Sequence, residues 1–302
     1  MENNYLTLDA FQFQQTSFNI EEIKKYNSEE SFTSLAVELF KEVGQITSIL
    51  ACSYRLDKEN KPRRWKRDEA ILGGLMIRLN KLQIGLLDQI CQDRMEISFI
   101  LFRCLAETLI NLKYLLDGSS TTIFDEYIEY SLRTEKRLLN TINENISKRG
   151  SVLPIEKRMR DSIDNSFKTS LFSPEQVNEK STEAWGETIY RRAKKINMEK
   201  EYMALFSLPS HVVHGNWQDL IMHHLQHENG EFSPNPDWGR VRPQPVFVSA
   251  YFSALINKLY LEKIIPNCDD TNQINNYVDK SIKKILEADG LHESFLQQHG
   301  KT

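Results

Sequence analysis

Cysteine is scarce in this 302-residue chain, and its four copies lie far apart, at Cys52, Cys91, Cys104 and Cys268. Because no Cys-x-x-Cys pair occurs, the spacing supports neither a zinc knuckle nor a disulfide framework. Three of the four lie within apolar helical patterns, where a free thiol behaves as a small hydrophobic side chain. The chain is therefore expected to fold through its hydrophobic core alone, and it is long enough to bury one.

Long hydrophobic runs and a strong charge of one sign are also absent. Charged residues interrupt every apolar stretch well before the ~20 residues that a membrane-spanning helix needs. Residues 1–20 contain no apolar segment of the secretory type. These features predict a cytoplasmic protein that does not cross a membrane. The net charge is −4 and the pI about 6.0, whereas a wholly basic nucleic-acid binder would have a pI above about 9.

The sequence does contain strong helical periodicity. Apolar residues recur at three- and four-residue steps from Phe32 to Leu50, after Ser28 as an N-cap. Further long helices are predicted over 68–92, 95–116 and 122–146. Residues 151–302 predict shorter helices and an irregular, proline-rich loop at 229–245; the helices lie at 183–197, 199–213, 217–227, 246–264 and 272–288.

These elements predict an all-α fold, a bundle of four long helices followed by shorter helices. Residues 1–27 are interpreted as an N-terminal arm and residues 28–302 as a single helical domain. Within that domain, 28–150 would form the long-helix half and 151–302 the shorter-helix half. No alternating strand pattern of useful length is evident.

Two charged side chains lie in a predicted helix that is apolar on nearly every face. Arg103 and Glu107 are four residues apart and therefore on one side of it. Buried charges are normally paired, so one interpretation is a structural ion pair. The other is a charged functional site inside the bundle, since strained electrostatics often cluster at such sites.

Residues 202–217 bring several hydrogen-bonding side chains together. On a helix, His214 lies near His211 and Ser210. Histidine titrates near neutral pH, so either His214 or His211 could act as a general acid–base, although no Gly-x-Ser-x-Gly elbow surrounds the serines. The alternative is that both are hydrogen-bonded core residues. The residues considered for ligand binding are Ser210, Asn216, Trp217 and Tyr114.

Asp219, His223 and His227 recur every four residues, which would stack them along one helical face. Carboxylate and imidazole groups at this spacing can ligate zinc. The alternative is a solvated polar face, since no His-Glu-x-x-His motif occurs. No metal or other cofactor is assigned.

A basic segment precedes the second long helix and contains Arg63, Arg64, Trp65 and Arg67. Its cations could bind phosphates while the indole stacks on a base, as in single-strand binders. The alternative is a solvated charge run at a helix junction. Gly-rich phosphate loops of the Walker type and dinucleotide fingerprints are absent.

Three groups of residues resemble a bacterial family known as DUF 5677. They are Arg103-x-x-x-Glu107 with Asn111 and Tyr114-Leu115-Leu116, then Trp185 with Tyr190, then Tyr202 with Ser207 and His211-Val-Val-His214-Gly215. The likeness covers about residues 65–265 and implies little about function.

A helical bundle with a late His-Gly is more loosely similar to the HEPN superfamily of toxins, ribonucleases and defence effectors. Its ribonucleases have an Arg separated from the following His by four to six intervening residues, usually across a homodimer. In this chain those positions before His214 are Ser207, Leu208 and Pro209. Under this resemblance, Arg103 would have to supply the missing cation from another helix.

The resemblance implies an effector that acts on RNA in bacterial defence or a toxin–antitoxin system, with a partner encoded nearby. It would be a metal-independent ribonuclease, with His214 as its general acid–base. Arg103 would stabilise phosphate charge, and Glu107 would orient the arginine. The alternative is a non-catalytic helical regulatory module that binds a protein partner or a small ligand, with loop 229–245 as its contact surface. A third hypothesis is a metal hydrolase built on Asp219, His223 and His227.

Overall fold

The computed structural model describes residues 14–53, 55–59, 61–118, 122–207, 209–266 and 269–299. The first half of the predicted arm, residues 1–13, lies outside the described residues, as do Leu208 and Cys268. Helices hold 73% of the described residues, and the described strands form only two short hairpins, so the all-α class is confirmed.

The described helices follow one another along the chain and are numbered in that order. They are α1 (Ile20–Ile23), α2 (Glu29–Ala51), α3 (Arg67–Cys91), α4 (Met95–Asp117), α5 (Ile123–Arg149), α6 (Pro154–Ser170), α7 (Ile189–Lys195), α8 (Glu199–Glu201), α9 (Ser210–His214), α10 (Trp217–Asp219), α11 (Pro243–Ile264) and α12 (Asp269–His299), with a 3₁₀ turn at Pro174–Gln176. Two π-helices, Tyr202–Ser207 and Leu220–His224, continue α8 and α10. The strands are β1 (Arg55–Leu56), β2 (Pro62–Arg63), β3 (Leu225–Glu228) and β4 (Glu231–Pro234), paired β1–β2 and β3–β4, both antiparallel.

The four predicted long helices form where the periodicity places them, because their ends carry local stop signals. Ser28 caps α2 by accepting a hydrogen bond from the Ser31 backbone N–H. Gly118 and Gly150 end α4 and α5 in the left-handed conformation, at φ values of 34° and 76°. These ends depend on neighbouring residues only, so the sequence reveals them.

The main hydrophobic core is built around α11, which packs against α2, α4 and α12. Phe40 of α2, Leu109 of α4 and Tyr260 of α11 are all fully buried there. Helix α3 packs on α2 and α4. The core therefore joins both halves of the predicted domain, and the second half contributes two long helices of its own.

Helices α5 and α6 pack on each other and enclose a smaller cluster of buried residues. Ile128, Leu132 and Ile142 come from α5, and Ile163 and Phe167 from α6. The fourth predicted long helix, α5, therefore lies mostly beside the main core. Within the main core, α11 and α12 pack against α2 instead.

The structure corrects the prediction over residues 183–234. Helix α7 is shorter than the predicted helix 183–197, and the helix predicted over 217–227 ends at His224. The start of the predicted irregular loop belongs to the β3–β4 hairpin, whose turn residues Asn229 and Gly230 have φ values of 50° and 85°. An Asn-Gly pair favours a tight hairpin turn because both residues tolerate positive φ.

The described part of the arm docks on the body. The backbone N–H of Thr16 donates to the Glu42 carboxylate at 2.9 Å, and Lys284 of α12 donates to the same carboxylate at 3.0 Å. Glu42 is buried, so it needs these partners. The arm is thereby joined to α2 and α12.

Of the described helices, α3 is the one long and apolar enough, by length and composition, to cross a membrane. The core helix of a soluble protein passes the same test, and α3 packs on α2 and α4. The absence of a membrane span and the cytoplasmic localisation stay predictions.

Candidate functional site

A cavity of about 570 Å³ lies between α4, residues 199–224 and the start of α11. Its size is within the 300–1,000 Å³ typical of small-molecule sites. Most of its wall is carbon, from side chains on all three parts of the chain: Phe99, Leu205, Val212, Met222, Pro245 and Val248. Five side chains with strong hydrogen-bonding groups also line it: His211, Gln218, Asp219, His223 and Gln244.

Residues 199–224, which we call the cavity segment, form one wall as a chain of short helices. Pro209 precedes α9, and Gly215 ends α9 in the left-handed conformation at a φ of 54°. The two π-helices insert an extra residue per turn, a geometry found often at functional sites. His211 of α9 and Asp219 of α10 both line the cavity, one on each side of the break at Gly215.

The proton position on His211 is set by Asn216. The Asn216 side-chain oxygen accepts from the Asp219 backbone N–H at 3.2 Å, so its NH₂ group faces the other way. That NH₂ lies 2.7 Å from Nδ1 of His211. Since Nδ1 accepts, neutral His211 carries its proton on Nε2. The half-buried His211 side chain therefore offers its Nε2–H as a donor.

Three polar atoms of cavity-lining residues are buried without a hydrogen-bond partner: Oδ1 of Asp219, Nδ1 of His223 and Oε1 of Gln244. Asp219 and His223 are only 4% and 5% exposed. The other Asp219 oxygen lies 3.4 Å from Nε2 of His224, a side chain that is 49% exposed. Unpartnered buried polar atoms are costly and uncommon in native proteins, so three along one cavity indicate a place for a ligand.

The predicted catalytic residues occupy different environments. His214 is exposed at the end of α9 and does not line the cavity. Arg103 is half-buried, with its guanidinium carbon 4.7 Å from the centre of the Phe206 ring. Glu107 is exposed, and none of the described ion pairs joins it to Arg103. The predicted structural ion pair is therefore replaced by a cation–π contact, because the first π-helix packs over α4.

The predicted ligand-binding residues also lie in different parts of the structure. Ser210 donates to the Phe206 carbonyl at 2.6 Å, which joins α9 to the first π-helix. Trp217 is exposed and packs on Phe232 of β4, with ring centroids 5.5 Å apart. Asn216 holds the His211 ring through its side-chain amide. Tyr114 lies elsewhere, in a buried aromatic cluster.

That cluster surrounds Arg192, which sequence reasoning missed. Arg192 of α7 is 5% exposed, lies 3.9 Å from the Trp185 ring centre, and donates to Oδ1 of Asn111 at 2.6 Å. Tyr114 packs edge-on against Trp185. Burial lowers the pKa of Arg192 to about 10, while the charge of Glu107 acts in the opposite direction. The basic run from Arg191 to Lys195 is typical of a solvated surface, so nothing in the run itself marks Arg192. The available signal was that Asn111, Tyr114 and Trp185, which surround it in space, belong to the residues that resemble DUF 5677.

The predicted metal ligands do not share a helical face. The second π-helix ends at His224, and His227 lies on β3 with its ring 4.8 Å from that of Phe232. The prediction that Asp219, His223 and His227 are stacked is therefore wrong, because the strand carries His227 away. No group of three or more His, Cys, Asp or Glu side chains among the described residues is arranged to hold a metal ion.

The basic segment is engaged by neighbouring carboxylates. Arg63 forms two hydrogen bonds with Glu69, at 2.7 and 2.8 Å, and this pairing is the main cause that lowers the pKa of Glu69 to about 2. Arg67 pairs with Asp68 and Asp125. The Trp65 ring lies against Gly73 of α3, where an added Cβ would come within 2.3 Å of it. Arg64 is exposed. The indole thus packs within the fold.

Comparison with known proteins adds a family. The model of DUF5677, described as a family of unknown function, matches residues 69–232. No curated protein and no solved structure matches the chain. The matched residues include α4, the Arg192 cluster and the whole cavity segment. Because this match covers more than half of the chain, the protein belongs to the DUF5677 family.

Proposed function

We propose that this protein is a non-catalytic helical regulatory module that binds a small, largely apolar molecule in the 570 Å³ cavity. The observation that carries the proposal is the coincidence of an apolar wall with three buried, unpartnered polar atoms. Apolar pockets with a few converging polar groups are the usual form of small-molecule sites. The cavity segment, with its short helices, is the part of the fold that a ligand would order.

The size of the cavity sets the expected affinity. A ligand and wall that together remove roughly 400 Å² of apolar surface from water gain about 10 kcal/mol. The loss of translational and rotational freedom on binding costs at least about 4 kcal/mol of free energy. The difference corresponds to a dissociation constant on the order of tens of micromolar.

The first test is binding of N-phenyl-1-naphthylamine, an uncharged dye that fluoresces in apolar surroundings. Ala204 is exposed and lines the cavity, so Ala204→Trp fills the entrance without disturbing the core. We expect this variant to weaken dye binding at least tenfold. The matched control is Ala70→Trp, at an exposed position of α3 that does not line the cavity, and it should bind as the wild type does.

Equal dye binding by wild type and Ala204→Trp would contradict the proposal, because the dye would then bind elsewhere. Circular dichroism and thermal unfolding of both tryptophan variants establish that they are folded. Since each variant adds one tryptophan at an exposed alanine, a general effect of the indole would appear in both.

A second function, HEPN-like action on RNA, is favoured by one contact. Arg103 stacks on Phe206, whose carbonyl accepts from Ser210 at the start of α9, so the predicted cation lies close to the helix that carries His214. Incubation of wild type and His214→Ala with labelled total RNA and tRNA, with and without EDTA, tests this function. Cleavage by wild type alone, insensitive to EDTA, would make the ribonuclease the working function.

A further inference from the structure

The charge of the cavity wall has one sign. Of the described residues that line the cavity, Asp219 is the only carboxylate, and none is a lysine or arginine. A charged ligand would therefore meet a site whose fixed charge is negative.

Asp219 is short of hydrogen-bond donors. An ionised carboxylate is an acceptor only, with about four lone-pair positions. Oδ2 of Asp219 has the outer His224 imidazole at 3.4 Å, whereas Oδ1 is buried and has no partner among the described residues. A carboxylate that is only 4% exposed needs a donor, preferably a cation. Because Asp219 lines the cavity, a ligand bound there can supply the missing donor.

Gln244, at the start of α11, adds a second acceptor among the cavity-lining residues, since its Oε1 is also buried and unpartnered. Phe99 contributes an aromatic ring, and aromatic faces attract cations. A carboxylate oxygen, an amide oxygen and an aromatic ring together suit an ammonium group, which has three donors and a positive charge.

We infer that the ligand is a cationic amphiphile, a protonated amine joined to an apolar body, and that Asp219 binds the amine. This inference rests on the proposed function and specifies the ligand class of the same cavity. An anionic ligand would place a second negative charge beside a buried carboxylate. A neutral alcohol could satisfy Asp219 with one donor but would leave its charge unpaired.

The test compares three molecules with the same ten-carbon chain: n-decylamine, n-decanol and decanoate. Each is titrated at pH 7, below its micelle concentration, to displace N-phenyl-1-naphthylamine from the wild-type protein. We expect decylamine to displace the dye at a concentration at least ten times lower than decanol, and decanoate to be the weakest. The readout is the ratio of amine to alcohol affinity, which cancels the contribution of the chain.

Asp219→Asn removes the charge and preserves the shape of the side chain. We expect the amine preference to fall to about one in this variant. The matched control is Asp161→Asn, an exposed residue of α6 away from the cavity, which should keep the wild-type ratio. Gln244→Met removes only the second acceptor and should lower the ratio about threefold, so it tests the inference even if Asp219→Asn fails to fold.

The two levels of the hypothesis fail in different ways. If the dye does not bind, or Ala204→Trp has no effect, the proposed function is wrong. If the dye binds in the cavity but decanol or decanoate competes as well as decylamine, the inference about the ligand class is overturned alone. An amine preference that persists in both Asp219→Asn and Gln244→Met would also overturn it.

Discussion

At the scale of single residues, Arg192 is the clearest case of a charge held without a paired carboxylate. Its guanidinium lies on the Trp185 ring and donates to Asn111, and its Nε is buried without a partner. Glu107 compensates the charge from a distance, since no described ion pair joins the two residues. The contact with Asn111 therefore carries much of the stabilisation of this cluster.

Replacing Asn111 by leucine removes the only described hydrogen-bond acceptor of the Arg192 guanidinium. Because hydrogen bonds to charged groups are worth about 1.5–3 kcal/mol, we expect Asn111→Leu to lower the free energy of unfolding by that amount. Urea denaturation measures it. Asn143→Leu, at an exposed position of α5, is the control and should change stability by no more than about 0.5 kcal/mol. Equal effects of the two substitutions would contradict this account of Arg192.

At the scale of elements, the cavity segment differs from the helices that hold it. Helices α4 and α11 are long and have many buried residues, whereas α8, α9 and α10 are short and interrupted by Pro209, Gly215 and the two π-helices. Short helices derive little stability from their own hydrogen bonds. The wall of the cavity is therefore its mobile part, and a ligand would stabilise it by binding.

Hydrogen exchange should reveal this difference. We expect backbone amides of residues 199–224 to exchange at least a hundredfold faster than those of α4 and α11, because local opening exposes little apolar surface there. Saturating N-phenyl-1-naphthylamine should slow exchange in the cavity segment and leave the α5–α6 pair unchanged. Peptide-level mass spectrometry measures both. Protection of the cavity segment equal to that of α11 would contradict the expectation.

At the scale of the whole molecule, α12 closes the bundle with a buried histidine. His292 is fully buried among aromatic rings, at a ring-centroid distance of 4.9 Å from Phe32, and its Nε2 lies 3.7 Å from the Glu29 carboxylate. That distance is too long for a hydrogen bond. Burial lowers the pKa of His292 below its ordinary value of 6.5, despite the nearby acidic groups.

This histidine makes stability depend on pH. Below pH 6.5 the unfolded chain binds a proton at His292 more readily than the folded protein does, so the free energy of unfolding should fall as pH decreases from about 7.5 to about 5.5. His292→Leu should flatten that dependence in urea denaturation. His214→Leu, at an exposed histidine, is the control and should retain it. A wild-type slope that survives in His292→Leu would show that another group is responsible.

Much of the fold could be predicted because its signals are local. The predicted helices 68–92 and 95–116 appear as α3 and α4 with ends within one residue of the prediction. The β3–β4 hairpin was missed although Asn229-Gly230 is a recognisable turn pair, because the prolines that follow favour an irregular loop. Helix α12 extends eleven residues past the predicted end at residue 288, to His299, because its last part is held by contacts with α2 and α11.

The site could be predicted only in part. The sequence alone determined the all-α class and the long helices, because helical periodicity is a local property of the chain. It also singled out residues 202–217, some of which line the cavity. Tertiary structure decided that His211 rather than His214 lines the cavity, that Asp219 is buried beside it, and that Arg192 rests on Trp185. These outcomes depend on which helices meet across long sequence separations, and residue spacing along one helix contains no information about that packing.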